Sequence, residues 1–173
     1  KEQAQKLTAD VDFPLSQHQN AWGVNDDVTF DYLYNVLKER KTGPWHTAFL
    51  TLSSHEPFEV PYHRLNENIP NAFAFTDDCL GKFIDRMKQL PQWKDLLIIC
   101  LPDHGFYYPR EGFAQSPRIH HIPMLWLGGA VKQPMVVDKL MNQTDLVATL
   151  LGQLGMEHQE FNFSRNVLGK EYT

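Results

Sequence analysis

An aspartate, a histidine and a glycine stand together at Asp103-His104-Gly105, just after the apolar run Leu96-Leu97-Ile98-Ile99-Cys100 and the pair Leu101-Pro102. A carboxylate oxygen beside an imidazole nitrogen can share one divalent cation. In open α/β sheets, chemistry gathers at the carboxyl ends of strands, where this triplet is expected to lie. Mixed oxygen and nitrogen ligands suit Mn or Zn better than Ca, with Mg a further option. Gly105 reads as room for the ion and for the turn. A plain turn that happens to contain these residue types is the alternative, and the rest of the chain must weigh between them.

Such a pair needs a scaffold. The chain has 173 residues, 42% hydrophobic and 21% charged, enough for one domain with a sizeable core rather than a disordered segment. Its net charge of −5, without a Lys/Arg stripe, argues against nucleic acid as a partner. No apolar stretch approaches the ~20 residues of a membrane-crossing helix, and no signal peptide stands at the start. Lys1 in place of Met reads as the start of a cut piece. Cys79 and Cys100 have no metal-type spacing and read as small buried hydrophobes.

Residues 1–20 are polar with scattered apolars and read as a connecting segment; residues 21–173 read as the domain. Asn25 or Asp26 is expected to cap a helix carrying Phe30, Leu33, Tyr34 and Leu37, which ends near residues 38–41 before Thr42-Gly43-Pro44. Residues 46–52 fit a buried strand that runs into the polar loop 53–58, with loop continuing to Pro70. Residues 71–90 read as a helix with an apolar stripe of Phe73, Leu80, Phe83, Ile84 and Met87. A strand over 95–101 leads to the Asp-His-Gly triplet, and the aromatic, basic residues 106–120 suit a loop over a site. A further strand at 122–127 stops at Gly128-Gly129, and Thr144 is expected to cap a helix that closes at Gly155. This order argues for an α/β fold, with a largely parallel sheet flanked by helices.

Four segments, taken in order, resemble one family. They are Trp22-Gly23-Val24-Asn25-Asp26, the stretch Thr51-Leu52-Ser53-Ser54-His55-Glu56-Pro57-Phe58, the triplet Asp103-His104-Gly105, and the late helix from Asp145 to Gly155. Their spacing, over residues 20–155, is similar to the catalytic domain of lipoteichoic acid synthase-like sulfatases in the alkaline phosphatase superfamily. The resemblance implies a metal-dependent phosphoryl or sulfuryl ester hydrolase or transferase, acting on a phosphoglycerol-type or other cell-envelope anionic ester, lipid-linked ones included. It implies the extracytoplasmic face of a bacterial membrane, with the anchor and any membrane contact in segments outside this chain. The family pattern adds a Thr nucleophile and a Glu ligand that belong upstream. This chain is then the C-terminal part of the catalytic domain, inactive alone and partnered by its N-terminal half.

Carried over by position, Asp103 and His104 match the metal pair and His55 the substrate-side histidine. In such chemistry a cation offsets the charge crowded onto ester oxygens, and His55 can donate to an oxyanion or protonate a leaving group. His120 and His121 precede a strand as a substrate-side His does in related transferases, with His121 slightly favoured. Arg118 could clamp an anion bidentately, although a solvated loop Arg is the more ordinary reading. Tyr107 and Tyr108 could wall a headgroup or simply pack their loop. His18, His46, His63 and His158 lack motif company. The Cys/Ser-x-Pro-x-Arg motif of the other main sulfatase branch does not occur. A silent binding or interaction module on the same fold is the alternative to an enzyme.

Overall fold

The computed structural model describes residues 6–20, 22–40, 43–108 and 116–172. Lys41, Thr42 and the middle of the expected 106–120 loop lie outside the described residues. The chain forms two compact units, Lys1–Lys132 and Gln133–Thr173.

In the first unit, β1 (His18–Asn20) pairs antiparallel with β2 (Gly23–Val24), and α1 (Asp26–Lys38) follows at once. Phe30, Leu33 and Leu37 recur at helical spacing and are buried, as the periodicity requires. They meet α2 (Asn68–Met87), with the Phe30 and Phe83 ring centroids 5.3 Å apart. α2 starts three residues before the expected position, with Pro70 inside its first turn. That is allowed because an N–H there has no partner within the helix anyway. Buried Asn71 fixes this start: its side-chain carbonyl accepts the Arg64 and Leu65 N–H groups at 3.0 and 3.1 Å, and its amide donates to the Tyr62 carbonyl.

The buried face of α2 is Ala72, Phe75, Cys79, Phe83 and Met87. Leu80 and Ile84 only flank it, and Phe73 is 39% exposed on another face. The expected stripe was therefore right at Phe83 and Met87 and misplaced at Phe73, because two periodic sets overlap on a helix this long. Cys79 is free and buried, and burial, followed by the nearby Asp27 and Asp26 charges, pushes its thiol up to about 12. Burial also raises the Cys100 thiol, which is free too. Neither cysteine is poised as a nucleophile at neutral pH.

After a 3-10 turn at Pro91–Asp95, β3 (Ile98–Cys100) pairs with β4 (Leu125–Leu127) in the register Ile98–Leu127, Ile99–Trp126, Cys100–Leu125. A Cβ on Gly128 would sit 2.2 Å from the Leu96 carbonyl oxygen, and one on Gly129 2.3 Å from that of Trp93. The glycine pair thus ends β4 by letting its backbone close onto the entry to β3. Both ladders among the described residues are two-stranded and antiparallel. Residues 46–52, the expected buried strand, form no ladder, and Leu50 is 79% exposed. With no neighbour on that side among the described residues, β3 is only half-buried.

In the second unit, α3 (Asp145–Gln153) has Thr144 at its cap position, but the Thr144 side chain makes no cap bond. Asp145 reaches back instead and accepts the Asn142 N–H at 3.0 Å. Beyond Gly155 the Met156 N–H donates to the Leu151 carbonyl, closing the helix where expected.

Candidate functional site

Two motifs far apart in sequence meet at the start of α1. Asn25 holds the cap position without a side-chain cap bond. Ser53 supplies the cap from the other motif, its Oγ accepting the Asp26 N–H at 2.9 Å. The fully buried Asp26 carboxylate accepts the Leu52 N–H at 2.8 Å and the Thr76 hydroxyl at 2.7 Å. A carboxylate can only accept, so this ring of donors is what allows its burial. One aspartate thereby binds α1, α2 and the segment that leads into His55.

His55 sits on the loop this junction anchors and is exposed. Its Nδ1 lies 2.9 Å from the Glu56 carbonyl oxygen. A carbonyl can only accept, so Nδ1 carries a proton, and in the neutral ring Nε2 keeps its lone pair. The Trp22 ring meets the imidazole edge-on, centroids 5.0 Å apart. The Glu56–Pro57 peptide is cis, and the Phe58 N–H closes the turn on the His55 carbonyl at 2.9 Å.

Asp103 and His104 lie beyond the end of β3, their side chains 77% and 67% exposed. The His104 N–H donates to Asp103 Oδ1 at 3.0 Å. His104 Nδ1 donates to the Gly105 carbonyl at 2.8 Å, which in the neutral ring leaves Nε2, 3.8 Å from Asp103 Oδ1, as the nitrogen with a lone pair. A backbone carbonyl on the far nitrogen is the usual way a metal-binding imidazole is held in one tautomer. The two donors therefore fit two positions around a divalent cation. Among the described residues no group of three or more His, Cys, Asp or Glu is gathered to complete a cage.

The backbone of a second segment passes directly over Gly105. A Cβ there would lie 1.5 Å from the Ile119 carbonyl oxygen and 3.2 Å from the His120 Cα. The space a side chain would fill is taken by the backbone of the Ile119–His120 segment, which is thereby brought against the Asp-His-Gly loop. His120 and His121 enter the neighbourhood by this contact, both exposed. Arg118 is exposed in the turn closed by the Ile119 N–H to Ser116 and the His120 N–H to Pro117.

Aromatic rings join the two loops. Phe58, three residues after His55, lies 6.1 Å from Phe106, two residues after His104, and both meet Phe73 of α2 at 6.4 and 5.9 Å. Tyr107 continues the stack at 4.6 Å and is 53% exposed. Tyr108 donates to Glu67, and that bond, ahead of burial, raises its phenol above the usual range. Sequence reasoning passed over Phe58 and Phe106 as functional candidates, although each directly follows a motif residue, Pro57 or Gly105. A cleft of about 410 Å³ lined by Phe30, Asp78, Cys79 and Arg86 lies between α1 and α2 and includes none of the expected site residues.

In the second unit the buried Asp145 accepts N–H groups from Arg165 at 2.8 Å and Asn142 at 3.0 Å, and the Tyr172 hydroxyl at 3.1 Å. Burial pushes its carboxyl up, but these bonds outweigh it and hold the pKa below the usual carboxylate value.

Comparison with other proteins bears on this arrangement. A phosphoglycerol transferase I of Xanthomonas campestris is 22% identical over 169 residues, covering 90% of this chain and 24% of the relative. The lipoteichoic acid synthase-like YvgJ of Bacillus subtilis is 24% identical, covering 88% of this chain and 29% of its own length. The chain thus spans about a quarter of the length of these curated relatives. A crystal structure of an alkaline phosphatase superfamily protein from Vibrio parahaemolyticus superposes with a TM-score of 0.73 at 25% identity, over 89% of this chain and 40% of that one. The fold is that of the alkaline phosphatase superfamily. The sulfatase family model matches residues 2–156, and the chain belongs to the sulfatase family.

Proposed function

We propose that this chain is the C-terminal part of a catalytic domain that cleaves or transfers an anionic phosphoryl or sulfuryl ester, of the phosphoglycerol type first, with a divalent cation held in part by Asp103 and His104. The observation that carries the reading is the tether of His104 Nδ1 to the Gly105 carbonyl, with Nε2 left 3.8 Å from Asp103 Oδ1. The names of the relatives, a phosphoglycerol transferase and a lipoteichoic acid synthase-like protein, support the substrate class. The nucleophile, a Thr, and a Glu ligand would come from upstream of Trp22, and the whole protein would work at the extracytoplasmic face of a membrane. Among the described residues no helix is long and apolar enough to cross one.

A bound cation, Mn or Zn ahead of Mg, would offset charge on the ester oxygens. Asp103 would supply an anionic oxygen ligand and His104 Nε2 a neutral nitrogen. His55, with its proton fixed on Nδ1, would offer Nε2 to receive and return a proton at the ester oxygen. His121 and Arg118 would bind the anionic head from the segment packed on Gly105. The test is release of diacylglycerol from phosphatidylglycerol vesicles by the whole protein, with Mn titrated in after chelation. Asp103→Ala should abolish the response to Mn at unchanged folding. An Asp103→Ala protein that keeps both its metal and its rate would refute the assignment. A second reading, a silent binding module on the same fold, stands beside this one. It would prevail if the whole protein neither bound Mn nor cleaved the lipid.

A further inference from the structure

We infer that Phe58 is a positioning residue: its ring locks the loop carrying His55 against the loop carrying Asp103 and His104. The inference rests on the site proposed above and deepens it. Among the described residues Phe58 is the non-glycine residue with positive φ, at 61°. A side chain with a Cβ disfavours that region, so tertiary contacts have to hold it there. Those contacts are Phe73 at 6.4 Å and Phe106 at 6.1 Å, and the latter two rings touch each other at 5.9 Å. Phe73 rides on α2, an element already fixed against α1, so one rigid ring clamps a residue from each loop.

The three rings stand outside the main hydrophobic cluster, and Phe73 remains 39% exposed. Their arrangement adds little to the core, yet it sets where two loops lie relative to each other. The lock reaches His55 through the backbone. The Phe58 N–H donates to the His55 carbonyl at 2.9 Å, so turning Phe58 out of its conformation re-aims the turn on which the imidazole is mounted. A misplacement of about 1 Å at a reacting group can cost on the order of 100-fold in rate.

The experiment uses the whole protein, Mn and the chromogenic diester bis(p-nitrophenyl) phosphate, with melting temperatures measured in parallel. Phe58→Ala and Phe58→Gly should each lower kcat by about 10- to 100-fold, with KM little changed and melting nearly as wild type. Phe58→Tyr, which keeps the ring, should retain most of the rate. Phe58→Gly removes the backbone penalty along with the ring, so a wild-type rate in that variant would show that the ring positions nothing and would overturn the proposal. In a His55→Ala background, Phe58→Ala should have no further effect; an undiminished second loss would equally overturn it. Should Phe58→Ala fail to fold, Phe58→Leu carries the same comparison. A His55→Ala protein with a wild-type rate would overturn the site reading itself. A crippled His55→Ala beside an intact Phe58→Gly would overturn only the role given to Phe58.

Discussion

Asp26 and Asp103 are the same residue type, one opening α1 and the other just beyond β3, and their surroundings are opposite. Asp26 is fully buried, and backbone and hydroxyl donors from the residue 51–53 stretch and from α2 converge on it. Asp103 stands with its side chain 77% exposed beside an imidazole whose basic nitrogen is held nearby. Asp145 repeats the first pattern in the second unit, with Arg165, Asn142 and Tyr172 as donors. A carboxylate surrounded by fixed N–H and O–H donors is committed to structure. One that stays largely exposed to solvent beside an imidazole is the kind proposed above to take a cation. The family motifs thus contain two kinds of aspartate, and position in a motif does not tell them apart.

The contrast breaks most sharply in a pair of variants. His104→Gln in the whole protein should lower kcat/KM by about 100- to 1000-fold, the scale on which removal of one charge-stabilising group is felt. Its unfolding free energy should stay within about 0.5 kcal/mol of wild type, as for other exposed positions. Asp26→Ala should do the reverse. It leaves buried donors without an acceptor at a cost of about 3 kcal/mol in all, while the rate per folded molecule falls far less than in His104→Gln. Denaturant melts and initial rates on the same samples decide. If Asp26→Ala lost rate while keeping its melt, the two aspartates would not differ in kind.

Gly105→Ala tests how tightly the site is packed. The new methyl must displace the Ile119 carbonyl, which lies 1.5 Å from the ideal Cβ position. Overpacking of this kind costs about 1–3 kcal/mol, and the shift should move the His120–His121 segment and raise KM for the anionic substrate. An unchanged KM would separate that segment from the site.

The smallest effect belongs to Asp145 and appears only in acid. Folding lowers its pKa, so the folded state binds fewer protons there than the unfolded chain. Its stabilisation is full above the unfolded carboxylate pKa of about 3.9 and is lost as pH falls through the lower folded value. Asp145→Asn should flatten this acid limb, followed by circular dichroism between neutral pH and strong acid. An Asn variant with the same acid dependence as wild type would assign the effect to other carboxylates.

Much of the frame is legible in the order of residues. Phe30, Leu33 and Leu37 announce α1 by spacing alone, and the run ahead of Leu101 announces β3. The junctions are less legible. The cap of α1, expected from Asn25 or Asp26, is supplied by Ser53, because a helix N-terminus accepts any nearby oxygen and sequence proximity does not choose which. Phe73 reads as core by spacing and belongs to the ring cluster beside the site. Residues 46–52 read as a buried strand, but a strand is made by its neighbours, and among the described residues it has none.

By itself the amino-acid sequence settled which chemistry is on offer: a carboxylate next to an imidazole after an apolar run, and a histidine in a polar loop. It also settled the helical periodicities, since these depend on residues a few positions apart. Only the tertiary structure decided which aspartates are buried, why residue 105 has to be glycine, and that Phe58 and Phe106 join two loops. Each of those outcomes depends on atoms brought together from distant parts of the chain, and local spacing carries no record of such contacts.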